Sequence, residues 1–168
     1  SVYYSAAVSD IKQEIASVYM YGENDHLVFV ATDSFRLAEK KIKTKKTPEF
    51  EGLLLPFKNI NEIIRTFSGS NDELKVVFNK NQISFFSNSI YLTSRIIDGV
   101  FPDYKQIVPK EFKTEFVVLR EDLLGALKMA TIFSDKFNQI TLTLKAKEKK
   151  AALHSKNADV GENTTTLD

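Results

Sequence analysis

The chain has 168 residues, which suffices for one domain or for parts of two. It is 43% hydrophobic and 27% charged, as in globular proteins, and it lacks cysteine, which excludes disulfides, zinc-thiolate sites and cysteine nucleophiles. The net charge of +1 excludes strong bulk attraction to nucleic acid, so a role on DNA would have to depend on local charge or on topology.

The first part of the chain is typical of strands joined by polar turns. Apolar, β-branched and aromatic residues fill 15–21 and 27–32, and the turn-like segment 22–25 separates them. This pattern predicts a strand, a turn and a second strand. Residues 37–44 are predicted to add an edge strand, and 45–51 to form a polar loop.

A helix is predicted next, between short strands. Residues 53–55 read as a buried strand that ends at Pro56. Over 58–67 the apolar residues have helical spacing, and the glycine-containing segment 68–71 ends the pattern. The apolar stripe consists of Ile60, Ile63, Ile64 and Phe67. Three strands are predicted over 74–79, 82–87 and 90–97, with turns at 80–81 and 88–89.

The same order of elements is predicted again further along the chain. Residues 115–119 read as a strand, and Asp122 is a candidate N-cap for a helix that runs to about Ser134. One face of that helix carries Leu123, Leu124, Leu127 and Ala130. The strands that follow are predicted over 139–145, 151–155 and 160–167.

These elements predict an α+β fold with a structural repeat. A strand–helix–strand–strand–strand unit spans 52–97 and recurs over 115–167. The segment 98–109, with two prolines and one glycine, lies between the two units and is typical of an inter-domain connection. The sequence therefore predicts a domain boundary near Phe112.

Two motifs carry a resemblance to a known family. Residues 31–38 (ATDSFRLA) resemble the ATDxxRLA signature of bacterial DNA sliding clamps, the beta subunits of DNA polymerase III. Residues 92–104 (LTSRIIDGVFPDY), with Pro109 after them, resemble the family's TSrliDGxFPDYxxxxP signature. The resemblance implies that 1–112 is most of the clamp's middle, second domain and that 113–168 is the first half of its C-terminal, third domain. It also implies the DNA clamp fold, with sheets outside and helices lining the inner face.

The resemblance implies a non-enzymatic processivity factor that needs no cofactor. Two protomers of a clamp form a ring, and double-stranded DNA passes through the hole and is retained topologically, without sequence preference. A near-neutral chain fits this role because weak phosphate contacts do not hinder sliding. The implied partners are the DNA polymerase III catalytic subunit, the clamp loader, and other polymerases and repair proteins, all bound through linear peptides.

The family's partner site is a hydrophobic groove between the second and third domains. Matched position by position, this sequence supplies Ile15, Thr32, Ser34, Phe35, Arg36, Leu37, Pro102, Gln106 and Ile107. The apolar members would form walls for anchor side chains, and the polar members would orient the peptide. The alternative is that these residues only pack a strand end against a linker. Many relatives have Gly-His in place of Ser34-Phe35 and a basic residue in place of Gln106, so the peptide preference is expected to differ.

The aspartates inside the two motifs are interpreted as structural residues. Asp33 follows a strand, where its carboxylate can accept hydrogen bonds from the next backbone amides and fix the turn. Asp98 and Asp103 stand beside Gly99 and Pro102 and are read in the same way.

Candidate DNA-facing residues lie off the apolar helix stripes. These are Lys58, Asn59 and Arg65 on the first helix and Lys128 on the second. The resemblance adds Lys12 and Gln13, in a loop that also approaches DNA in the family. Ordinary solvated helix surface is the alternative. The densest basic cluster, made of Lys40, Lys41, Lys43, Lys45 and Lys46, is interpreted as protection of an edge strand, because acidic residues flank it and no aromatic residue is interleaved.

An enzyme and a generic α+β interaction module are the competing hypotheses. The only histidines, His26 and His154, are far apart in sequence, and no metalloprotease, phosphate-loop, nucleophile-elbow or dinucleotide motif occurs. No apolar run reaches the roughly 20 residues that cross a membrane, and no signal peptide is visible. The resemblance implies a place in the bacterial cytoplasm, associated with the nucleoid, and no membrane partner or bound metal is expected.

Overall fold

The structure is a computed structural model that describes residues 1–8, 11–44, 50–69, 73–87 and 90–167. The chain forms two compact units, Ser1–Val108 and Pro109–Asp168. The domain boundary that the sequence predicts near Phe112 stays a prediction. Among the described residues, no helix has the length and apolar character that a membrane crossing requires.

The first unit contains a four-stranded antiparallel sheet in the order β3-β2-β1-β4. Its strands are β1 (Ser17–Glu23), β2 (His26–Thr32), β3 (Leu37–Lys43) and β4 (Leu53–Pro56). Strand β3 lies at the edge of the sheet, which confirms the predicted edge strand. The register pairs Thr32 with Leu37 and Val30 with Glu39, so the ends of β2 and β3 meet at a tight turn.

A helix and a second sheet complete the first unit. Helix α1 (Phe57–Phe67) confirms the predicted helix. The second sheet is antiparallel in the order β5-β6-β7. Its strands are β5 (Lys75–Phe78), β6 (Gln82–Ser87) and β7 (Ile90–Arg95). Strand β7 ends before the predicted residue 97 because Ile97 bonds elsewhere: its N–H donates to the carbonyl of Leu54 on β4, at 2.8 Å.

The two faces of the first sheet pack against different parts of the unit. Successive strand residues point to opposite faces. On one face, Met20, Leu53 and Leu55 form a core with residues of β6. Ile60, Ile63 and Phe67 of α1 pack against this core, whereas Ile64 of the predicted stripe is exposed. On the other face, a second core contains Val28, Val30, Leu54, Phe101 and Tyr104. The last two residues belong to the segment that follows β7.

The second unit packs one helix on a three-stranded antiparallel sheet. Helix α2 (Arg120–Ile132) precedes β8 (Thr141–Lys145), β9 (Lys150–Asn157) and β10 (Gly161–Leu167), and the strand order is β10-β9-β8. Ala126 of α2 is buried with Ala151, Leu153 and Leu167 of the sheet. The small side chain of Ala126 fits this close approach of helix and strands.

The predicted strand over 115–119 is wrong. These residues belong to no strand, because among the described residues no neighbouring strand forms a hydrogen-bonded ladder with them. Only Val118 packs against the core of the second unit, whereas Val117 is 90% exposed. The second repeat therefore lacks its first strand in this structure.

Two predicted details of α2 are also wrong. The helix begins at Arg120, and its N-cap is Leu119, whose backbone is extended. Asp122 instead lies in the first turn, where a carboxylate interacts favourably with the helix dipole. The packed face contains Leu123, Ala126 and Ala130, whereas Leu124 and Leu127 of the predicted face are exposed.

Several predicted residues lie outside the described part of the chain. They are Lys45 and Lys46 of the basic cluster, Ser70 and Asn71 after α1, and the turn residues Asn88 and Ser89.

Candidate functional site

The turn between β2 and β3 is organised by Asp33. One oxygen of its carboxylate accepts hydrogen bonds from the backbone N–H groups of Phe35, at 3.0 Å, and Arg36, at 2.7 Å. The other oxygen accepts hydrogen bonds from Nε and Nη2 of the Arg36 guanidinium, at 3.0 and 2.8 Å. This geometry confirms the structural interpretation of Asp33.

The same contacts lower the pKa of Asp33. The pKa falls from an ordinary value of 3.8 to about 2, mainly because the backbone N–H groups of Arg36 and Phe35 donate to the carboxylate. The guanidinium of Arg36 contributes a further lowering. Each of these donors stabilises the ionised form. Asp33 is therefore a permanent anion at neutral pH, and its charge is matched by that of Arg36.

Thr32 and Ser34 complete the turn from inside. The hydroxyl of the buried Thr32 donates to the carbonyl of Arg36, at 2.7 Å, and accepts from the backbone N–H of Ser34, at 3.2 Å. Ser34 has a φ of 75°, in the left-handed region where a non-glycine residue is strained. The turn is thus a fixed structure rather than a free loop.

What the turn presents is an exposed aromatic ring. Phe35 is 97% exposed, and Leu37, the first residue of β3, is 36% exposed. The adjacent charge of Arg36 is paired with Asp33 at 2.8 Å. The turn therefore displays two apolar side chains next to a paired charge, which is what the predicted peptide groove requires of these positions.

A second segment of the predicted groove follows β7. Pro102, Gln106 and Ile107 are all exposed, and Ile107 is 67% exposed. A short 3₁₀ helix, Tyr104–Gln106, shapes the segment, and Nε2 of Gln106 donates to Asp103 Oδ2 at 2.7 Å. Asp103 therefore stabilises the local turn, as expected.

Two aromatic anchors place this segment on the same sheet face as Leu37. Phe101 stacks on Tyr19 of β1, with ring centroids 4.9 Å apart and planes 7° apart. The Tyr104 hydroxyl donates to Glu39 Oε2 of β3 at 2.6 Å. Because Glu39 is two residues from Leu37 on one strand, their side chains point to the same face. The structure thus brings the segment and the turn to one face of the sheet.

The ninth predicted groove residue, Ile15, precedes β1 and is partly buried. Its carbonyl accepts a hydrogen bond from the backbone N–H of Ala7 at 2.9 Å. Its neighbour Glu14 lies against Gly99: a Cβ at Gly99 would stand 3.0 Å from Glu14 Cγ. The glycine of the second motif therefore allows the two loops to approach.

The sequence interpretation missed the residues that hold the second segment. Tyr104 is 4% exposed, and Phe101 is 7% exposed. Their partners, Tyr19, Tyr21 and Glu39, are distant in sequence, so no local pattern identifies the pairs. One sequence feature could have indicated Phe101 and Tyr104 as anchors: they are two aromatic residues three positions apart inside a proline-containing connection.

The candidate DNA-facing residues have different surroundings. Lys58 and Arg65, two turns apart, share the exposed side of α1, where Arg65 pairs with Glu62 at 3.5 Å. The amide of Asn59 instead donates to Ser94 of β7 at 2.8 Å, which ties the helix to the second sheet. Gln13 and Lys58 both line a cavity of about 390 Å³ at the start of α1. Lys12 is exposed, and so is Lys128 on α2 of the second unit.

The lysines of β3 fit the interpretation as an edge-strand cluster. Lys41 pairs with Glu23 at 3.3 Å, and Lys43 pairs with Asp25 at 3.4 Å. These ion pairs reduce the positive charge that the strand offers to a polyanion.

An apolar cavity of about 510 Å³ lies on the opposite side of the first sheet. Its walls include Met20, Phe29, Ile63 and Phe85, and none of the nine predicted groove residues lines it. Among the described residues, no group of three or more His, Asp or Glu side chains could hold a metal ion.

Comparison with known proteins places these features in a family. A family model described as the central domain of the DNA polymerase III beta subunit matches residues 1–103. The beta sliding clamp of Synechococcus elongatus is 31% identical over 163 residues, which cover 94% of this chain and 44% of that protein. The beta sliding clamp of Streptococcus pneumoniae is 25% identical over 150 residues, which cover 89% of this chain and 40% of that protein.

Solved structures agree with these matches. The beta subunit of DNA polymerase III from Thermotoga maritima superposes with a TM-score of 0.85 at 27% identity, over 99% of this chain and 45% of that one. The DNA polymerase sliding clamp of Pseudomonas aeruginosa gives a TM-score of 0.90 at 23% identity, over 99% of this chain and 46% of that one, which shows the fold alone. The predicted α+β clamp fold is confirmed. The chain spans less than half the length of the relatives that it matches.

Proposed function

The chain belongs to the DNA polymerase III beta subunit family, and from this premise we propose that it serves in DNA replication as part of a ring-shaped sliding clamp. In this role it encircles double-stranded DNA as a homodimer and acts as a non-catalytic processivity factor in the bacterial cytoplasm, beside the nucleoid. Residues 1–112 correspond in the proposal to most of the clamp's middle domain, and 113–168 to the first half of its third domain.

The observation that carries the proposal is the rigid turn that displays Phe35 and Leu37. The carboxylate of Asp33 and the hydroxyl of Thr32 fix the turn, so the two apolar side chains are held in position before a partner arrives. Such preorganisation lowers the entropic cost of binding. A polymerase, the clamp loader or a repair protein would insert apolar side chains of a linear peptide here.

The second segment supplies the facing part of the groove. Pro102 and Ile107 offer apolar surface, and Gln106 offers an amide to orient the peptide backbone. Thr32, Ser34, Arg36 and Ile15 complete the set in the proposal. Because Phe35 and Gln106 are uncharged, peptide binding through these two positions is expected to vary little with pH.

DNA contacts in the proposal come from exposed polar residues on the helices and one loop. Lys58 and Arg65 on α1, with Lys128 on α2 and Lys12 and Gln13 in the loop, would make weak contacts with phosphates. Asn59 would use the amide hydrogen that Ser94 does not occupy. Weak contacts suit a protein that must slide, because they do not hold one register on the duplex.

Peptide binding by the full-length gene product tests the groove. We expect Leu37→Asp to weaken the binding of a labelled polymerase-derived peptide by about 30-fold or more, because it places a carboxylate at an apolar anchor position. Fluorescence anisotropy measures the affinity, and circular dichroism checks that the fold is retained.

The matched control is Val77→Asp, since Val77 is an apolar strand residue of similar exposure, 42% against 36% for Leu37. It lies on β5 of the other sheet, so peptide affinity should not change. If Leu37→Asp bound the peptide with the affinity of the parent, the proposal that Leu37 lines a peptide-binding groove would be contradicted.

A further inference from the structure

The segment that carries Pro102, Gln106 and Ile107 is not fixed by the backbone ladder of a sheet. From Pro102 to Val108 its backbone hydrogen bonds are internal: Ile107 and Val108, for example, donate to the carbonyl of Tyr104 at 3.0 and 3.2 Å. Internal bonds shape a segment but do not set its position on the rest of the protein. That position must come from side chains.

Ring packing fixes the segment only in part. Phe101 stacks on Tyr19, and Tyr104 packs beside Phe101 with ring centroids 6.4 Å apart. Apolar packing is strong but has little directional preference, whereas hydrogen bonds depend steeply on distance and angle. A buried hydroxyl with two partners therefore defines a position more narrowly than the rings do.

Tyr104 has such a hydroxyl, at the centre of a chain of three polar groups. Its O–H donates to Glu39 Oε2 at 2.6 Å, so its oxygen is free to accept from the Tyr21 hydroxyl at 2.7 Å. Tyr21 lies on β1 and Glu39 on β3, the two strands that flank β2. The hydroxyl thus ties the segment to both neighbours of the strand that leads into the Asp33 turn.

The surrounding charges support this direction of donation. Burial and the Glu39 carboxylate raise the pKa of Tyr104 well above 10, so the hydroxyl keeps the proton that it donates. Lys41 Nζ lies 3.9 Å from Glu39 and 3.3 Å from Glu23. Glu23 also pairs with Lys105 of the segment at 2.5 Å. The lysine side chains of these outer pairs are 46% and 56% exposed, so the pairs contribute little, whereas Tyr104, the donor to Glu39, is 4% exposed.

We propose that Tyr21, Tyr104 and Glu39 form a positioning latch for the peptide groove. Through the Tyr104 hydroxyl, the latch sets the distance between the segment with Pro102 and Ile107 and the turn with Phe35 and Leu37. The three residues do not touch the peptide themselves; they act through the residues that they place. This inference rests on the proposed function of the groove.

Tyr104→Phe tests the latch, because it removes the central hydroxyl and keeps the ring. In the full-length gene product we expect polymerase-derived peptide to bind about tenfold more weakly, as the loss of one partly buried hydrogen-bond network would produce. Tyr21→Phe removes only one donor and should have a smaller effect. Glu39→Gln keeps an acceptor for Tyr104 and should retain most of the affinity, whereas Glu39→Leu should lose it.

Ile83→Val is the matched control for stability. Ile83 is fully buried on β6, in the core on the other face of the first sheet, so this variant lowers stability without touching the latch. Its peptide affinity should equal that of the parent. If Ile83→Val and Tyr104→Phe weaken binding alike, the effect is one of stability and the latch is overturned.

The outcomes separate the latch from the groove. If Leu37→Asp weakens binding as expected while Tyr104→Phe binds like the parent, the latch fails and the groove stands. If Leu37→Asp binds normally, the groove assignment fails. NMR of the 168-residue chain then tests whether the latch still positions the segment relative to the turn. There Tyr104→Phe should shift the amide signals of both Ile107 and Phe35; unchanged signals at these positions would overturn the latch.

Discussion

Ser34 occupies a backbone conformation that favours glycine. Its φ of 75° costs a non-glycine residue about 1–2 kcal/mol. Replacing it by glycine relieves that strain. The same change also raises the entropy of the unfolded chain, which lowers the free energy of unfolding by about 0.4–1 kcal/mol. We therefore expect Ser34→Gly to raise the free energy of unfolding by about 0.5–1 kcal/mol, measured by urea denaturation.

Ser68→Gly is the natural comparison, because Ser68 has a φ of −71° and its hydroxyl donates to the carbonyl of Ile64. Here the same change removes a useful contact and relieves no strain, so stability should fall. An equal loss of stability in both variants would show that Ser34 is not strained.

The charge of Asp33 gives a second test at the level of one residue. Its pKa is lowered to about 2, so the carboxylate stabilises the turn fully above pH 3.8 and loses this effect as the pH falls through about 2. Arg36→Gln removes the guanidinium but keeps the backbone N–H groups, which are the larger causes. The pKa should therefore rise only part of the way towards 3.8.

Carbon-13 NMR of the Asp33 carboxyl group measures both titrations directly. A parent midpoint near 3.8 would mean that the turn does not hold the carboxylate as described. A complete return to 3.8 in Arg36→Gln would mean that the side chain, rather than the backbone, is the principal donor.

The elements differ in how far local sequence determines them. Residues 115–119 have the composition of a strand, yet they form no ladder in the described part of the chain. Their amide hydrogens should therefore exchange with solvent much faster than those of Ala151 and Leu153 in β9, which is paired on both sides. Hydrogen exchange followed by NMR provides the measurement. Equal protection of the two segments would restore the predicted strand.

The local sequence pattern was enough to predict those elements whose structure is determined mainly by their own residues. The helical spacing of Ile60, Ile63 and Phe67 predicted α1, and alternation with polar turns predicted β6 at its observed bounds. The Asp33 turn was predicted for the same reason, since an aspartate bonds amides two and three residues ahead.

Prediction failed where the structure depends on residues far apart in the chain. Whether residues 115–119 pair depends on a partner strand that their own sequence does not specify. The contact of Tyr104 with Glu39 joins residues 65 positions apart, and that with Tyr21 joins residues 83 apart. Such contacts arise from sheet register, which a single sequence does not reveal. The placement of the second groove segment was therefore beyond local reasoning.

At the scale of the whole chain, the near-neutral charge needs an explanation. A net charge of +1 gives little general attraction to DNA, and Arg65, Lys41 and Lys43 are partly compensated by acidic neighbours. Binding through phosphate contacts alone would thus be weak and would weaken steeply with salt. A closed ring avoids this limit, because a duplex without ends cannot leave it unless the ring opens.

Retention on DNA of defined topology tests the clamp role most directly. The full-length gene product, loaded onto nicked circular DNA by its clamp loader and passed through a sizing column at high salt, should remain with the circles. Linearising the circles with a restriction enzyme should release it, because the protein can then slide off the ends. Release from intact circles at high salt, or equal retention on linear DNA, would contradict the proposal that this chain is part of a ring around the duplex.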